Sequence, residues 1–219
     1  MSPRAVFACV LLASAWNCAH ASQTLNAKSL LESAPSANKD VIELALDALS
    51  CHRKLGGPVD RVLGVIDYSR PSTDPRFWVF DLASGNLLFE ERVAHGRNSG
   101  ENIAQRFSND AGSLMSSLGS FETEGTYIGH NGYSLKLKGL EPGFNDRAEE
   151  RAIVIHGARY VSEDVARGQG RIGRSFGCPA VRTEVAPALI DAMRERAFVF
   201  AYYPDPHWLH ESKLLGDCD

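Results

Sequence analysis

The feature that most constrains the fold is a series of short apolar segments separated by glycine, proline, asparagine and serine. Two-residue turns such as Asn131-Gly132 between such segments are typical of β-hairpins. The predicted strands are Val62 to Tyr68, Phe77 to Asp81, Leu87 to Val93, Tyr127 to His130, Tyr133 to Lys138, Ala152 to His156 and Ala197 to Tyr203. Because many short strands with frequent turns are typical of β-sandwiches and barrels, we predict a mainly β fold of that kind with a few peripheral helices.

Other segments have helical spacing or the composition of loops. Asp40 is expected to cap a helix from Val41 to His52, and a second helix is predicted from Glu184 to Arg196. Residues 22–38 are rich in Ser, Asn, Ala and Gln, so a loose leader is predicted there. The stretch from His95 to Ser120 is rich in glycine and serine and is expected to form loops with short strands.

The first 21 residues have the layout of a secretory signal peptide. Arg4 supplies the positive charge, Ala5 to Trp16 is almost wholly apolar, and Ala19-His20-Ala21 fits a small-residue cleavage site. That apolar run is too short to span a bilayer, and no later segment reaches the roughly 18 apolar residues that a transmembrane helix needs. We therefore expect a mature chain that begins near Ser22, has no transmembrane segment and is secreted to the periplasm or cell envelope. A buried N-terminal helix is the alternative.

The charge and the histidine pattern favour neither nucleic acid nor a metal as a partner. The formal net charge is −4, whereas nucleic-acid binding normally needs a basic stripe. His207 and His210 have helical spacing, but two prolines lie just upstream and no cysteine is near them in the sequence. A zinc site is therefore only a weak alternative, and no metal site is predicted.

The cysteine count predicts one disulfide and one free thiol. Of five cysteines, Cys51, Cys178 and Cys218 remain after the predicted cleavage. An odd number in an oxidising compartment suggests one pair and one unpaired thiol. Cys51 lies near the start of the mature chain, Cys218 is the penultimate residue, and chain ends often lie close together. We therefore predict a Cys51–Cys218 disulfide and a free thiol at Cys178.

Cys178 and His156 are the candidate nucleophile and base. His156 ends an apolar strand-like run, and Cys178 lies in a glycine-rich, turn-like segment. A cysteine attacks as the thiolate, and an imidazole that takes its proton can activate it. Acyl transfer also needs N–H donors for a developing oxyanion; Gly177 permits close backbone approach, whereas Pro179 has no N–H. A structural histidine and an inert core cysteine are the alternatives.

These residues resemble the signature of the YkuD-type L,D-transpeptidases, in which a histidine precedes a Ser-x-Gly-Cys turn. His156-Gly157 and Ser175-Phe176-Gly177-Cys178 carry this resemblance. Longer strings are similar to the murein L,D-transpeptidase catalytic domain branch: Ser116-Ser117-Leu118-Gly119, Gly132-Tyr133-Ser134-Leu135, Gly139-Leu140-Glu141-Pro142-Gly143-Phe144-Asn145, His156-Gly157-Ala158 and Gly173-Arg174-Ser175-Phe176-Gly177-Cys178-Pro179-Ala180. With this resemblance, the expected division is a signal peptide (1–21), an N-terminal leader and helix (22–58), a catalytic domain (59–204) and a C-terminal tail (205–219).

The resemblance implies a YkuD-like β-sandwich with a cleft, and peptidoglycan stem peptides as the substrate. Cys178 would attack the bond after the third stem residue, release a terminal D-amino acid and form a thioester. An amine of a neighbouring stem would then resolve the thioester to a cross-link. The carbonyl of Gly157 would orient His156, and the turn from Ser175 to Gly177 would surround the oxyanion. No metal or organic cofactor is expected, and the oligomeric state is left open.

Two departures from the family's common turn affect the expected substrate contacts. Phe176 stands where the common pattern has histidine, and Ala180 stands where it has arginine. Another arginine is then expected to bind the substrate carboxylate, and residues that flank a turn can rim a cleft. The candidate substrate-binding residues are therefore Arg174, Arg182, His130 and Tyr133.

Two other functions remain open at this point. An L,D-carboxypeptidase, or another cysteine hydrolase of cell-wall peptides, would use the same residues with water in place of the amine. A papain-like amidase is disfavoured, because such chains usually carry the cysteine before the histidine, whereas His156 precedes Cys178. The last alternative is a non-catalytic envelope-binding domain in which Cys178 is buried or disulfide-bonded.

Overall fold

The computed structural model describes residues 27–58, 61–194, 196–216 and 218. The predicted signal peptide, residues 1–21, lies outside the described residues. The strands are β1 (Val62–Asp67), β2 (Phe77–Asp81), β3 (Leu87–Glu91), β4 (Gly119–Gly129), β5 (Gly132–Gly139), β6 (Val154–Gly157), β7 (Ala180–Val181) and β8 (Phe198–Tyr202). The helices are α1 (Ala27–Ser33), α2 (Lys39–Lys54), α3 (Glu163–Gln169), α4 (Ala186–Met193) and α5 (Pro206–Glu211).

The strands of the described chain form one sheet in the order β3-β2-β1-β8-β4-β5-β6-β7. Neighbouring strands are antiparallel except for the parallel pairs β1–β8 and β6–β7. The sheet is nearly closed and barrel-like, and it packs on a core of apolar side chains such as Leu63, Ile155 and Phe200. The prediction of a mainly β fold with few helices is therefore confirmed.

β4 differs most from the sequence prediction. It begins at Gly119, within the predicted loop region, and not at Tyr127. Its first half contains the polar residues Ser120 and Thr123, which are nevertheless buried. The Thr123 hydroxyl donates to the carbonyl oxygen of Met193 at 2.6 Å, so its burial leaves no unmet donor. Buried polar residues hide the apolar alternation by which a strand is recognised in sequence.

β6 begins two residues later than predicted because the chain before it ends a helical turn. Ala152 has a left-handed φ of 52°. Its N–H donates to the carbonyl of Glu149, and the N–H of Ile153 donates to the carbonyl of Ala148. These two bonds are those of a Schellman turn, in which glycine usually occupies the left-handed position. The extended strand can therefore start only after this turn, at Val154.

The N-terminal segment contains a helix that the sequence composition does not reveal. α1 lies in the predicted leader, and Leu30 and Ala34 from this segment are fully buried in the core. α2 begins at Lys39, and its cap is Asn38, whose side chain accepts from the N–H of Asp40 at 2.9 Å. Asp40 therefore lies in the first turn of α2, two residues after the position that caps the helix.

Of the remaining helices, α3 and α4 lie within the predicted catalytic domain, and α5 lies just after it. α3 has no buried residue, so it lacks the apolar stripe that would have revealed it. α4 is shorter than the predicted helix. α5 lies in the predicted tail and buries Trp208, whose indole N–H donates to Glu141 at 2.9 Å. None of the described helices is long and apolar enough to cross a membrane.

A disulfide joins α2 to the C-terminal segment. Cys51 and Cys218 are bonded, with their Cα atoms 5.5 Å apart and 167 residues between them in sequence. Cys178 is the free cysteine of the described chain. The structure therefore has the pairing that the cysteine count predicts, and the thiol that remains lies at the end of the sheet formed by β6 and β7.

Candidate active site

The parallel pair β6–β7 brings the predicted base and nucleophile onto adjacent strands. His156 lies opposite Ala180 in this pair, and the N–H of His156 donates to the carbonyl of Pro179 at 3.3 Å. Cys178 lies two residues before Ala180, so in this register it is level with Val154 and diagonal to His156. Because side chains two positions apart along a strand share a face, the side chains of Cys178 and His156 project from the same side of the sheet.

His156 is held as a neutral ring with one nitrogen available. Its side chain is nearly buried, and Nδ1 lies 3.0 Å from the carbonyl oxygen of Gly157. A carbonyl can only accept, so Nδ1 carries the proton and Nε2 keeps a free lone pair. Burial lowers the pKa of His156, and the bond to Gly157 opposes this in part. The ring is therefore neutral near pH 7 and able to accept a proton.

Cys178 is half-buried and its sulfur faces the chain that precedes β6. Sγ lies 3.7 Å from the carbonyl oxygen of Ala152. Burial raises the pKa of the thiol, while a backbone hydrogen bond from Val154 and the charge of Arg151 lower it. No hydrogen bond joins the sulfur to the ring of His156 in the described part of the chain. The structure thus shows a neutral thiol that donates toward Ala152.

The turn that carries Cys178 is closed by Ser175. The Ser175 hydroxyl donates to the carbonyl of Cys178 at 2.6 Å and accepts from the N–H of Gly177 at 3.1 Å. Gly177 has a φ of 130°, and a Cβ there would lie 2.8 Å from the carbonyl oxygen of Met115. Glycine is therefore required at this position. The N–H groups of Phe176 and Cys178 have no acceptor among the described residues, so these two amides of the turn remain open to a ligand.

A second layer of hydrogen bonds fixes the turn from behind. The Ser116 hydroxyl donates to the carbonyl of Gly177 at 3.1 Å and accepts from the N–H of Gly96 at 3.0 Å. The N–H of Ser116 in turn donates to the Ser99 hydroxyl at 2.9 Å. Ser116 has no role in the sequence prediction, although it belongs to one of the family-like strings. Its position shows that the loop before β4 supports the turn of Cys178.

Arg151 also lies behind this turn, and no pattern in the sequence identifies it. Its guanidinium donates to the carbonyl oxygens of Ser108 (2.7 Å) and Met115 (2.6 Å), and to the hydroxyls of Ser117 (2.5 Å) and Ser113 (3.2 Å). The residue immediately precedes Ala152, whose carbonyl faces the thiol. A half-buried arginine that bonds to several residues of the loop before β4 can be recognised only once the chain is folded.

Comparison with protein families gives a match over most of the length of the chain. The family model described as the L,D-transpeptidase catalytic domain matches residues 33–202. The chain belongs to this family. The match begins inside the predicted N-terminal segment and ends just before the predicted end of the catalytic domain. The His156–Cys178 pair and the Ser175 turn therefore lie in the L,D-transpeptidase catalytic domain.

Three solved structures with a similar fold are those of L,D-transpeptidases. One from Mycobacterium smegmatis is 13% identical, with a TM-score of 0.42, and the match covers 67% of this chain and 61% of that one. L,D-transpeptidase 1 of Mycobacterium tuberculosis is 14% identical (TM-score 0.38; 66% and 62% covered). LdtMt1 in complex with imipenem is 15% identical (0.41; 65% and 59%). The chain thus spans less than two thirds of the length of these proteins. The comparison with curated protein sequences gives no match.

The two arginines predicted to bind the substrate are both engaged by acidic residues of the protein. Arg174 donates to Glu101 at 2.7 Å and to the carbonyl of Gly100 at 3.0 Å. Arg182 forms two bonds to Glu91, at 2.8 and 2.6 Å, and the Glu91 side chain is 8% exposed. The charge of each guanidinium is therefore balanced by a glutamate of the protein, although each retains N–H donors that are not used in these bonds.

Tyr133 and His130 do not join the Cys178–His156 pair. Ser134, not Tyr133, lies opposite His156, so alternation along β5 directs Tyr133 to the other face of the sheet. The Tyr133 hydroxyl donates there to Asp191 of α4 at 2.8 Å. His130 is exposed at the tip of the β4–β5 hairpin. Their predicted role in substrate binding remains a prediction that no contact of the structure supports.

An open groove of about 210 Å³ lies next to the thiol. Ala152 and Val154 form one wall, and these are the residues whose backbone contacts Cys178. Tyr127 and Lys136 form the other wall, with the Lys136 ammonium 5.8 Å from the centre of the Tyr127 ring. Cys178 itself does not line the groove, but Ala152, whose carbonyl faces the sulfur, does, and the volume is enough for one amino-acid side chain.

Phe176 and Arg97 flank the other side of the turn. Phe176 is 65% exposed, and the Arg97 guanidinium lies 4.9 Å from the centre of its ring. Arg97 is also exposed and forms no ion pair among the described residues. This pair of residues provides an exposed cation at the turn that carries Cys178, and no pattern in the sequence identifies it.

The described residues contain no group of three or more histidine, cysteine, aspartate and glutamate side chains that could hold a metal. The ring of His207 packs at a tilt against Phe144, with a centroid distance of 5.4 Å, and Nδ1 of His210 lies 2.8 Å from Glu211. The two histidines of α5 therefore each contact a different residue of the protein.

Proposed function

We propose that the protein is a peptidoglycan L,D-transpeptidase that acts through a Cys178 thioester. The observation that carries this proposal is the free thiol of Cys178 in a hydrogen-bonded turn beside His156, whose Nδ1 is fixed by Gly157. Membership of the L,D-transpeptidase family supports the same reaction class. An ordered neutral imidazole beside a cysteine is the arrangement that nucleophilic acyl transfer requires.

In the first half-reaction, the thiol turns from Ala152 toward His156, and Nε2 takes its proton. The thiolate attacks the carbonyl of the third stem residue, and the N–H of Cys178 donates to the resulting oxyanion. The C–N bond then breaks, His156 returns the proton to the leaving nitrogen, and a terminal D-amino acid departs. The stem peptide remains attached to Cys178 as a thioester.

In the second half-reaction, an amine of a neighbouring stem attacks the thioester. His156 removes a proton from the attacking nitrogen, the C–S bond breaks, and the proton passes to the departing thiolate. The products are a new amide cross-link and the free thiol. Water in place of the amine would give a trimmed stem, which is the carboxypeptidase outcome.

The groove beside Ala152 and Val154 is the proposed site for the side chain of the third stem residue. Its lining includes Ala152, whose carbonyl oxygen faces the sulfur of Cys178, together with Lys136 and Tyr127. Arg97, exposed beside Phe176, is proposed to bind a substrate carboxylate, because Arg174 and Arg182 are already paired with glutamates. Planar guanidinium groups suit carboxylates because they form two parallel hydrogen bonds.

We also propose that the protein acts outside the cytoplasm. The Cys51–Cys218 disulfide supports an oxidising compartment, because such bonds are rare where thiols are kept reduced. The predicted signal peptide of residues 1–21 agrees with this location. Both observations fit an enzyme whose substrate is the cell wall.

Product analysis tests the proposed reaction. The full chain and its Cys178→Ala variant are incubated with muropeptides that carry tetrapeptide stems. The products are separated by chromatography and identified by mass spectrometry. We expect cross-linked dimers from the wild type and no product from the variant. Tripeptides without dimers would replace the transpeptidase with a hydrolase. Unchanged substrate with both proteins would contradict an enzymatic function on these stems.

A further inference from the structure

Arg151 carries a charge that no carboxylate in the described chain neutralises by direct contact. Its four described hydrogen bonds all go to uncharged oxygens of the loops at residues 108 and 113–117. By contrast, the neighbouring Arg147 is paired with Glu150 at 2.8 Å on the surface. Burying half of a guanidinium without a directly bonded carboxylate is costly, and Asp110 acts on Arg151 only through space, so a further negative charge nearby would stabilise it.

The guanidinium of Arg151 packs against the residue before the thiol. A Cβ added to Gly177 would lie 3.3 Å from Nη2 of Arg151 and 2.8 Å from the carbonyl oxygen of Met115, which Arg151 itself binds. On its other side, Arg151 is joined covalently to Ala152, whose carbonyl faces the sulfur of Cys178. Arg151 is therefore adjacent to both Gly177 and Ala152, the two residues that flank the Cys178 thiol.

We infer that Arg151 is a positioning residue of the acyl-transfer site, which fixes the loops behind the Cys178 turn and places a positive charge beside the thiolate. The inference rests on the proposed role of Cys178 as the nucleophile. Negative charge exists on the sulfur only after His156 has removed the proton, so Arg151 stabilises the reactive form over the resting form. The charges of the two residues stabilise each other. Burial raises the pKa of Cys178, and the charge of Arg151 opposes this by a smaller amount. Burial lowers the pKa of Arg151, and the Cys178 thiolate opposes that change.

A purely structural role for Arg151 predicts a different result. If the guanidinium served only to join the loops at Ser108 and Met115, its loss would lower stability and leave the ionisation of Cys178 unchanged. The ionisation of the thiol is therefore the measurement that separates the two roles. Alkylation by iodoacetamide reports it, because only the thiolate reacts at an appreciable rate.

The test uses the full chain with its disulfide intact. Iodoacetamide labelling is followed between pH 5 and pH 10, and the modified fraction is read from the tryptic peptide of residues 175–182, in which Cys178 is the only cysteine. The variants are Arg151→Gln, Arg151→Met, which keeps the aliphatic stem, and Arg151→Lys, which keeps the charge. Arg147→Gln is the matched control, because it removes a surface arginine four positions earlier in the chain. Circular dichroism shows which variants fold.

We expect the neutral variants that fold to raise the apparent pKa of Cys178 by roughly one unit, and to slow labelling at pH 7 about tenfold. Arg151→Lys should restore at least part of that loss, and Arg147→Gln should match the wild type. An apparent pKa equal to that of the wild type in a folded neutral variant would overturn the inference, whatever the change in stability. The labelling rate needs no stem peptide, so this result is separate from the muropeptide products that test transpeptidation.

Discussion

The two ends of the sheet are stabilised in different ways. At the β3-β2-β1-β8 end, apolar side chains such as Leu63, Phe80 and Phe200 pack with no exposed surface, and α2 lies against β1 and β8. At the β6–β7 end, buried hydroxyls and a guanidinium join the loop before β4 to the turn of Cys178, chiefly through Ser116 and Arg151. Apolar contacts have no preferred angle, whereas a hydrogen bond fixes the relative orientation of the two groups that it joins. The first end supplies stability, and the second holds reactive groups in place.

The largest effect is expected from a cavity at the apolar end. Phe200 is fully buried, and its ring centre lies 5.6 Å from that of Trp208. Phe200→Ala should lower the free energy of unfolding by about 3–5 kcal/mol, because a large cavity remains in a packed core. Urea unfolding measures this. The exposed Leu88→Ala serves as the control, with an expected change within about 0.5 kcal/mol. Equal effects of the two substitutions would contradict the comparison.

The disulfide is expected to rank second. Replacing both Cys51 and Cys218 with serine frees chain ends that are 167 residues apart, so the unfolded state gains entropy. We expect the free energy of unfolding to fall by about 3 kcal/mol. Denaturant unfolding of this double variant, beside a Cys178→Ser control that keeps the disulfide, is the measurement. A stability equal to that of the control would show that the bond does not constrain the unfolded chain.

His95 makes the polar end sensitive to acid. Its Nδ1 accepts from Arg76 at 2.8 Å, and its carbonyl accepts from the N–H of Ser175 at 2.9 Å. Burial, followed by the charge of Arg76, lowers the pKa of His95 to about 3. The unfolded residue titrates near 6.5, so between these values the unfolded state binds more protons. Stability from this residue is present above pH 6.5 and falls as the pH drops toward 3.

The expected size of this effect is about 2 kcal/mol between pH 7 and pH 5. His95→Asn keeps an acceptor near the position of Nδ1 and cannot be protonated, so it should remove that part of the pH dependence. Unfolding free energies of both proteins at pH 7 and pH 5 give the comparison. If the unfolding free energy of the wild type and of the variant changed equally between pH 7 and pH 5, His95 would have to take up its proton in the folded state as well.

The smallest effect is expected at the turn that precedes β6. Ala152 occupies the left-handed position of a Schellman turn at φ 52°. Ala152→Gly should raise the free energy of unfolding by up to about 1 kcal/mol, since glycine adopts this conformation without steric cost. Thermal unfolding would detect the change, with Ala166→Gly in α3 as a control that should be destabilised. A loss of stability in Ala152→Gly would contradict this view of the turn.

The sequence predicts the apolar end of the molecule better than the polar end. The bounds of β2 agree with the prediction, because five mainly apolar residues between turn signals leave little choice. The first half of β4 and all of α3 were not predictable in this way. The Thr123 hydroxyl is buried through bonds to Met193 and Ala197 of a distant segment, whereas Ser120 is buried through bonds to its backbone from Glu141 and Asn145. α3 has no buried side chain.

The candidate site follows the same division. His156 and Cys178 could be proposed from their local context, because a strand end and a glycine-rich turn are legible in sequence. Arg151 and Ser116 could not, because they contact the Cys178 turn across about 26 and 61 positions of the chain, respectively. The pairing of Arg182 with Glu91 likewise depends on the completed fold.

The most direct test of the central claim is whether acylation of Cys178 depends on His156. The full chain is exposed to imipenem, whose β-lactam ring a thiolate opens, and the adduct is located by mass in the peptide of residues 175–182. We predict an adduct on Cys178 in the wild type and in the surface control His210→Ala, no adduct in Cys178→Ala, and a rate at least roughly 100-fold lower in His156→Ala. An equal rate in His156→Ala, or an adduct on another residue, would contradict the account.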